Sequence, residues 1–398
     1  MNRDHLTHAI RERLKRLPPP FDSHYGVVPL PPPEEGIAVG PVLARLKAAD
    51  AALVRIETLA AELKDPYLIS RILPRREAVS SSSIEGTNST LDELLSVEES
   101  EDSPHGEAAA QVRDYALALD DFLPHARKQK LELFTTTLVQ DLHRAVMRGD
   151  AEYKDKPGDF RERVVWIGGR GDIAYSTYNP TPPADIAACL EDTKKYMRCE
   201  GMQAMYQSFI VRMSVAHAHF EAVHPFRDGN GRVGRLLLPL MMAAEGMMPI
   251  YLSPYIEAHK TAYYDSLKAA QQRLEWHEAV GFMADAVLGT TDELLKTREA
   301  LATLGVLWRE RRKFRQGSAS LRALDVLPHY PVLTVKRLAK LLEITVQAAS
   351  HAVEQLVERK ILVERTGYAR NRVFIAPDAL SIINRPFGEY PILPGPPL

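Results

Sequence analysis

Between His224 and Arg235 the chain reads His-Pro-Phe-Arg-Asp-Gly-Asn-Gly-Arg-Val-Gly-Arg, directly ahead of the apolar stretch Leu236 to Met242. One imidazole, one carboxylate, one amide, three glycines and three arginines fall within twelve residues. Gly229 and Gly231 allow a tight turn and a close backbone approach to a ligand. A helix beginning there leaves its first amide N–H groups unpaired, with the positive end of its dipole toward the loop, which attracts anions. Arg232 and Arg235 are three apart and share one face of the first turn. Two guanidinium forks suit a polyphosphate better than a single carboxylate. Asp228 is out of place in a purely anionic site and makes sense as a ligand to Mg²⁺ carried by those phosphates. His224 titrates near neutrality when unperturbed, as a general base requires.

Two further stretches bear on this site. Residues 80–86 read Ser-Ser-Ser-Ser-Ile-Glu-Gly. Ser81 and Glu85 are four apart and face the same way on a helical turn, Gly86 is a natural stop, and a serine-rich start favours capping. By residue type alone this is a short capped helix with Glu85 in solvent. Residues 157–183 hold the β-favouring run Val164, Val165, Trp166 and Ile167 between turn residues, alone in a region that otherwise reads helical. An isolated hairpin leaves an open edge that can accept a substrate segment as an added strand. A hairpin that merely packs on helices fits the same residues.

The run 224–235 resembles the signature of the Fic family, His-x-Phe-x-Asp/Glu-Gly-Asn-Gly-Arg-x-x-Arg, with every specified position matched. Members mostly transfer AMP from ATP to a protein hydroxyl. The resemblance implies that His224 deprotonates the target hydroxyl and Asp228 holds Mg²⁺. It implies that Asn230, Arg232 and the Gly229–Gly231 backbone grip the α- and β-phosphates and that Arg235 reaches the γ-phosphate. Phe226 becomes a buried anchor for the loop. Branches that phosphorylate their targets depart from the signature in the loop, and this chain does not, so attack at the α-phosphate with loss of pyrophosphate is expected. Ser81-x-x-x-Glu85-Gly86 is similar to the family's inhibitory motif, which implies that Glu85 pairs with Arg235 and restrains the enzyme. The hairpin resembles the family's flap, with Val165, Trp166 and Ile167 docking the target main chain and Ile167 as its hydrophobic clamp.

Elements must hold these groups in place. Val42, Leu46, Ala49, Leu53, Ile56 and Leu59 recur at helical spacing from about 38 to 64, and 107–124, 131–147, 184–223 and 257–300 continue that period. Residues 1–36 combine a short charged helix with proline runs at 18–20 and 31–33, which favour extended segments. The spacing of His217 and His219, with Glu221 and His224, argues against a metal cluster, because residues two apart on a helix diverge. Tyr263 and Tyr264 read as helix-core tyrosines or as neighbours of a bound adenosine. The fold expected is mainly α, a helical Fic-type domain with a small hairpin flap and a C-terminal winged helix domain. The boundaries are 1–105 for an N-terminal region carrying the inhibitory helix at about 80–86, 106–308 for the catalytic domain, 309–320 for a basic linker and 321–398 for the winged helix and tail.

In that last module Thr334 caps a helix through Leu342, and Glu343-Ile344-Thr345 makes a turn. A second helix runs from Val346 to Lys360 with Val353, Leu356 and Val357 inward. Strands at 361–364 and 372–375 flank the turn 367–371. Arg365, Arg370 and Arg372 on the wing could contact DNA phosphates. Gln347, Ser350, His351 and Gln355 on the second helix bring little charge, so protein recognition or a homodimer fits as well. The formal net charge of −2 gives no global basicity. Two cysteines, Cys189 and Cys199, have no metal spacing, the start is polar rather than signal-like, and no apolar stretch spans a membrane. A cytoplasmic location is the expectation. Three functions follow: an AMP transferase that acts on a protein or on itself under restraint by Glu85, an enzyme that removes AMP with Glu85 positioning water, or a DNA-binding regulator that senses ATP.

Overall fold

A computed structural model of the chain describes residues 1–62, 67–68, 70–99, 106–201, 208–311, 314–366 and 372–395. The chain opens with α1 (His8–Arg11) and an antiparallel hairpin of β1 (Leu14–Arg16) and β2 (Tyr25–Val27). Then come α2 (Leu43–Glu57), α3 (Ile72–Ile84), α4 (Leu91–Glu99), α5 (Glu107–Gln129) and α6 (Thr136–Val146). A second hairpin pairs β3 (Ile167–Gly168) with β4 (Ser176–Tyr178). Helices α7 (Ile186–Met197), α8 (Phe209–Val223), α9 (Asn230–Ala244), α10 (Ser253–Ala258), α11 (Lys260–Arg273) and α12 (Trp276–Glu310) follow. The C-terminal part is α13 (Ala319–Val326), β5 (Val332–Thr334), α14 (Val335–Leu342), α15 (Val346–Glu358), β6 (Val363–Glu364), β7 (Val373–Ile375) and α16 (Pro377–Ile383).

Helices α8 and α9 are buried on nearly every side, the pattern of helices that run through a core rather than across its surface. They pack on each other, α8 against α7 and α12, and α9 against α5 and α6. The loop 224–229 that carries the histidine therefore joins two of the most enclosed elements of the molecule. Helix α3 lies across α5 and α10, so the Ser81–Glu85 stretch also rests on the same core.

Several expectations are revised. Helix α3 begins at Ile72, so the serine run at 80–83 is its buried last turn rather than a capped start. Pro74 gives no obstacle because it stands in the first turn, where no N–H is needed. The β-favouring run 164–167 enters the ladder only at Ile167; Val165 and Trp166 precede it, half-buried, and Trp166 packs its ring 5.4 Å from that of Phe21. Gly168 and Gly169 at positive φ and a register shift at Ile167/Gly168 keep the pairing short. The hairpin β1–β2 was not foreseen among the prolines.

In the C-terminal part Thr334 caps α14 through its hydroxyl, Glu343 is left-handed, and Thr345 caps α15. Strand β7 lies between β5 and β6. Val353 and Leu356 are buried as expected, whereas Val357, one residue and about 100° further round the helix than Leu356, is exposed. The wing turn 367–371, with Arg370, lies outside the described residues. Arg365 pairs with Asp92 of α4 and Arg372 with Glu364, so both arginines are engaged within the chain. Arg337 of α14 bonds Glu99 at the end of α4 at 3.0 Å, and Arg71 and Arg75 of α3 bond Glu98. The C-terminal part thus sits directly on the α3–α4 pair.

Trp308 of α12 is fully enclosed, with its indole N–H donated to Asp378 at 3.0 Å. Trp308→Ala should cost about 3–5 kcal/mol; a denaturant titration followed by far-UV circular dichroism should show an earlier transition, and an unmoved midpoint would contradict this packing.

Candidate active site

Pro225 decides the local geometry. A residue before proline is disfavoured in the right-handed helical region, so α8 must end at Val223 and His224 leaves the helix. His224 adopts the left-handed conformation, with φ of 52° and ψ of 62°, while its N–H still closes the last turn onto Phe220 at 3.0 Å. Phe226 is buried and stacks face to face on His143 of α6 at 3.7 Å. His143 in turn accepts the Gly158 N–H at Nδ1 (2.8 Å), which leaves Nε2 to donate to the Asp228 carbonyl (3.1 Å). Burial pushes the His143 imidazole down to about 4, so it serves this bridge as a neutral ring. The Asn230 side chain accepts from the Phe226 N–H and donates to the Phe226 carbonyl, both at 2.8 Å. Its amide therefore braces the loop from inside.

Gly229, at φ +76°, is the cap of α9, and no capping side chain hydrogen-bonds to this helix end. A Ser or Asp here would have satisfied the first amides itself. The first intrahelical bond runs from Val233 N–H to Gly229 C=O, so the amides of Asn230, Gly231 and Arg232 lack an intrahelical partner. A helix end left in this way is one at which an anion could bind.

An anion from the chain itself sits beside it. Helix α3 ends in a Schellman turn: Gly86, at φ +93°, gives its N–H to Ser83 C=O and Thr87 gives its N–H to Ser82 C=O. The turn leaves Glu85 at the cap, directed at Arg235, whose Nη2 lies 2.6 Å from Oε1. Arg235 is only 1% exposed, and Ser81 also accepts from it, Oγ from Nε at 2.9 Å and the carbonyl from Nη2 at 2.9 Å. A Cβ on Gly231 would stand 2.2 Å from Glu85 Oε1, so the carboxylate fills the space that this glycine leaves open. Burial works against the charge of Glu85, but Arg235 first and Arg232 after it hold the carboxyl below its ordinary value. Lys260 of α11 donates to the Ile84 carbonyl at 2.5 Å, a cation at the helix C-terminus where the dipole favours one.

The other expected groups are placed as follows. Burial first and the Arg161 charge second push His224 down to about 4, so the imidazole is unprotonated at neutral pH. Asp228 is exposed, with Oδ1 accepting the Gly229 N–H at 2.6 Å. Arg232 is buried and turned toward the end of α6, 3.0 Å from Met147 Sδ, and its Nε has no hydrogen-bond partner. His217 bridges the Gly234 carbonyl and the Tyr263 hydroxyl, which makes Tyr263 a core residue. Among the described residues no group of three or more His, Cys, Asp or Glu could hold a metal ion. Val165, Trp166 and Ile167 stand at the base and first strand of the hairpin, half-exposed.

Sequence reasoning missed three contributors: His143, Arg161 and Lys260. His143 was legible only as a polar residue within the apolar stripe of α6. Arg161 and Lys260 carried no local signal, because the carbonyls that give them meaning, such as those of His224, Thr181 and Ile84, are distant in the chain.

Burial raises Glu221, three residues before His224, to about 7. The folded chain then keeps a proton that the unfolded chain loses near 4.5, so this carboxyl costs stability increasingly as pH rises from 4.5 toward 7. Glu221→Gln should gain about 1–3 kcal/mol at pH 8 and little at pH 4. Unfolding measured at both pH values checks this, and an equal effect at both would refute the buried neutral acid.

The chain is similar to known proteins over part of its length. Residues 43–121 match the Fic/DOC family N-terminal model and residues 133–242 the Fic/DOC family model. A protein adenylyltransferase Fic of Drosophila erecta is 27% identical over 212 residues, 52% of this chain and 39% of the relative. Its counterpart in Culex quinquefasciatus is 26% identical over 257 residues, 63% of this chain and 45% of the relative. The chain thus spans less than half the length of these relatives. A crystal structure of a Fic family protein from Desulfovibrio desulfuricans shares the fold, with a TM-score of 0.54 at 20% identity over 86% of this chain and 98% of that one. Residues 43–121 and 133–242 of this chain are thus similar to the N-terminal and catalytic models of the Fic/DOC family.

Proposed function

We propose that the chain transfers AMP from ATP to a hydroxyl of a protein, its own or a target's, and that Glu85 restrains this reaction. The observation that carries the reading is the Glu85 carboxylate beside the uncapped start of α9, locked to Arg235. An anion-binding helix end stands there with an internal anion on its arginine. The relatives named protein adenylyltransferases support the choice of reaction.

In this mechanism the free amides of Asn230, Gly231 and Arg232 receive the phosphates, together with Arg232 and, once Glu85 withdraws, Arg235. His224 takes the proton of the target hydroxyl, whose oxygen then bonds to the α-phosphorus as the bond to pyrophosphate breaks. The low proton affinity of His224 leaves it free to accept at neutral pH. Asp228, exposed at the rim with one oxygen on Gly229, fits a magnesium ion that arrives with the phosphates rather than one held in a protein cage. Such an ion would offset charge on the leaving pyrophosphate. The half-exposed residues Val165, Trp166 and Ile167 would hold the target backbone beside the loop. The 1–105 region would then carry the restraint, 106–308 the chemistry, and 321–398, joined through the basic stretch 309–320, a winged helix that leans on α4. No helix among the described residues is long and apolar enough to cross a membrane.

Withdrawal of Glu85 should expose the activity. With ATP labelled on its α-phosphate and Mg²⁺, Glu85→Gly should raise label transfer to protein at least about tenfold, a change of roughly 1.4 kcal/mol, and His224→Ala in that background should abolish it. Unchanged labelling in Glu85→Gly would remove the restraint, and full labelling without His224 would remove the base. The pH–rate profile of the Glu85→Gly protein should have its acid limb well below 6.5, since loss of the Glu85 charge lowers His224 further.

A further inference from the structure

Arg161 is a buried cation at the junction of three segments. It stands in the stretch between α6 and β3 and is 4% exposed. Its guanidinium is satisfied by main-chain carbonyls: Nε by His224 (2.8 Å), Nη1 by Arg163 (3.1 Å), Nη2 by Thr181 (2.5 Å) and more weakly by Val223 (3.4 Å). Its own N–H binds the Pro225 carbonyl at 3.0 Å. Arg163 leads into the first strand of the hairpin and Thr181 follows the second, so both arms of the flap and the histidine loop meet on one planar fork. Val223 and His224 carry the last carbonyls of α8, where a cation is favoured. A buried charge held without a carboxylate is costly, and burial pulls Arg161 down to about 10.

We propose that Arg161 is a positioning residue that locks His224 in its left-handed backbone and ties it to the flap, so that the docking of a protein segment and the placement of the base are one event. This rests on His224 being the base. A left-handed histidine carries backbone strain that the surroundings must hold. The five bonds from Arg161 run to that residue, to its neighbours on both sides and to both flap arms. Lysine, a point charge without a fork, cannot span them. The charge also faces the imidazole, against Glu85 of α3 and Asp228 of the loop, while the Glu221 carboxyl on α8 (Oε2 4.0 Å from Nδ1) keeps its proton where His224 titrates.

The test needs no turnover, so it fails separately from the AMP-transfer reading. In histidine-labelled full-length protein followed by NMR, Arg161→Gln should move the His224 midpoint up by at least about one pH unit, whereas Arg161→Lys should leave it in place. Hydrogen exchange should accelerate at least about tenfold at the amides of 164–168 and 176–178 in both variants, with the amides of α5 and α9 unchanged. If only the lysine variant folds, its exchange alone decides. Unchanged exchange in the flap overturns the coupling even where the midpoint moves, because Arg161 would then be only an electrostatic neighbour. Where AMP transfer is measurable, Arg161→Lys in the Glu85→Gly background should lower kcat at least about tenfold with the KM for ATP within about twofold; an effect on KM alone overturns the proposal.

Discussion

A guanidinium buried in the core must be answered, and the molecule is arranged around answering Arg235. Left unpaired, such a charge costs several kcal/mol. Three acceptors meet it, all from the last turn and cap of α3, and each depends on where that helix ends. Helix α3 in turn is fixed by Glu77, whose carboxylate takes the Ser253 hydroxyl at 2.6 Å and the Tyr115 hydroxyl at 3.2 Å. It is fixed at its other end by Arg71 and Arg75 on Glu98. The pairing of one arginine therefore ties α3 to α9, and with it the shape of the candidate site.

The loop at the centre is rigid for a different reason. Two helices enclosed by the core deliver its ends, a proline sets where the first stops, and an asparagine folded inward closes it. His143 and Arg161 then hold it from the side of the hairpin. None of these groups needs to move for an anion to enter. The partner that moves in the proposed cycle is instead the tip of α3, which meets Arg235 through the Ser81 hydroxyl and carbonyl and the Glu85 carboxylate.

The residues of the loop and the Glu85 motif could be read from the chain because their chemistry is local: spacing along a few residues carries the meaning. The helical regions were legible from period, and the C-terminal helices from their threonine caps. What stayed hidden was non-local. The start of α3 at Ile72 depends on burial against α5 and α10 rather than on a capping residue. The serines at 80–83 look like a beginning and are an end, because the Schellman turn at Gly86 and the demand of Arg235 outweigh their preference for caps. Arg161 has meaning only once the chain ends of the flap and of α8 lie side by side. The short ladder at Ile167 reflects positive φ at Gly168 and Gly169, which overrides the β-branched residues before them.

Gly231 serves two occupants with one missing methyl group. The hole it leaves is where Glu85 Oε1 rests, and the amide beside it is one that a phosphate would use. A side chain placed there to evict the carboxylate would also stand in the way of the nucleotide. The cradle therefore offers no route by which substitution at this position frees the site and keeps it serviceable. Under the proposed restraint, escape would have to come from the other party to the contact, through the end of α3 or whatever shifts it, which would make the helix tip the address for control.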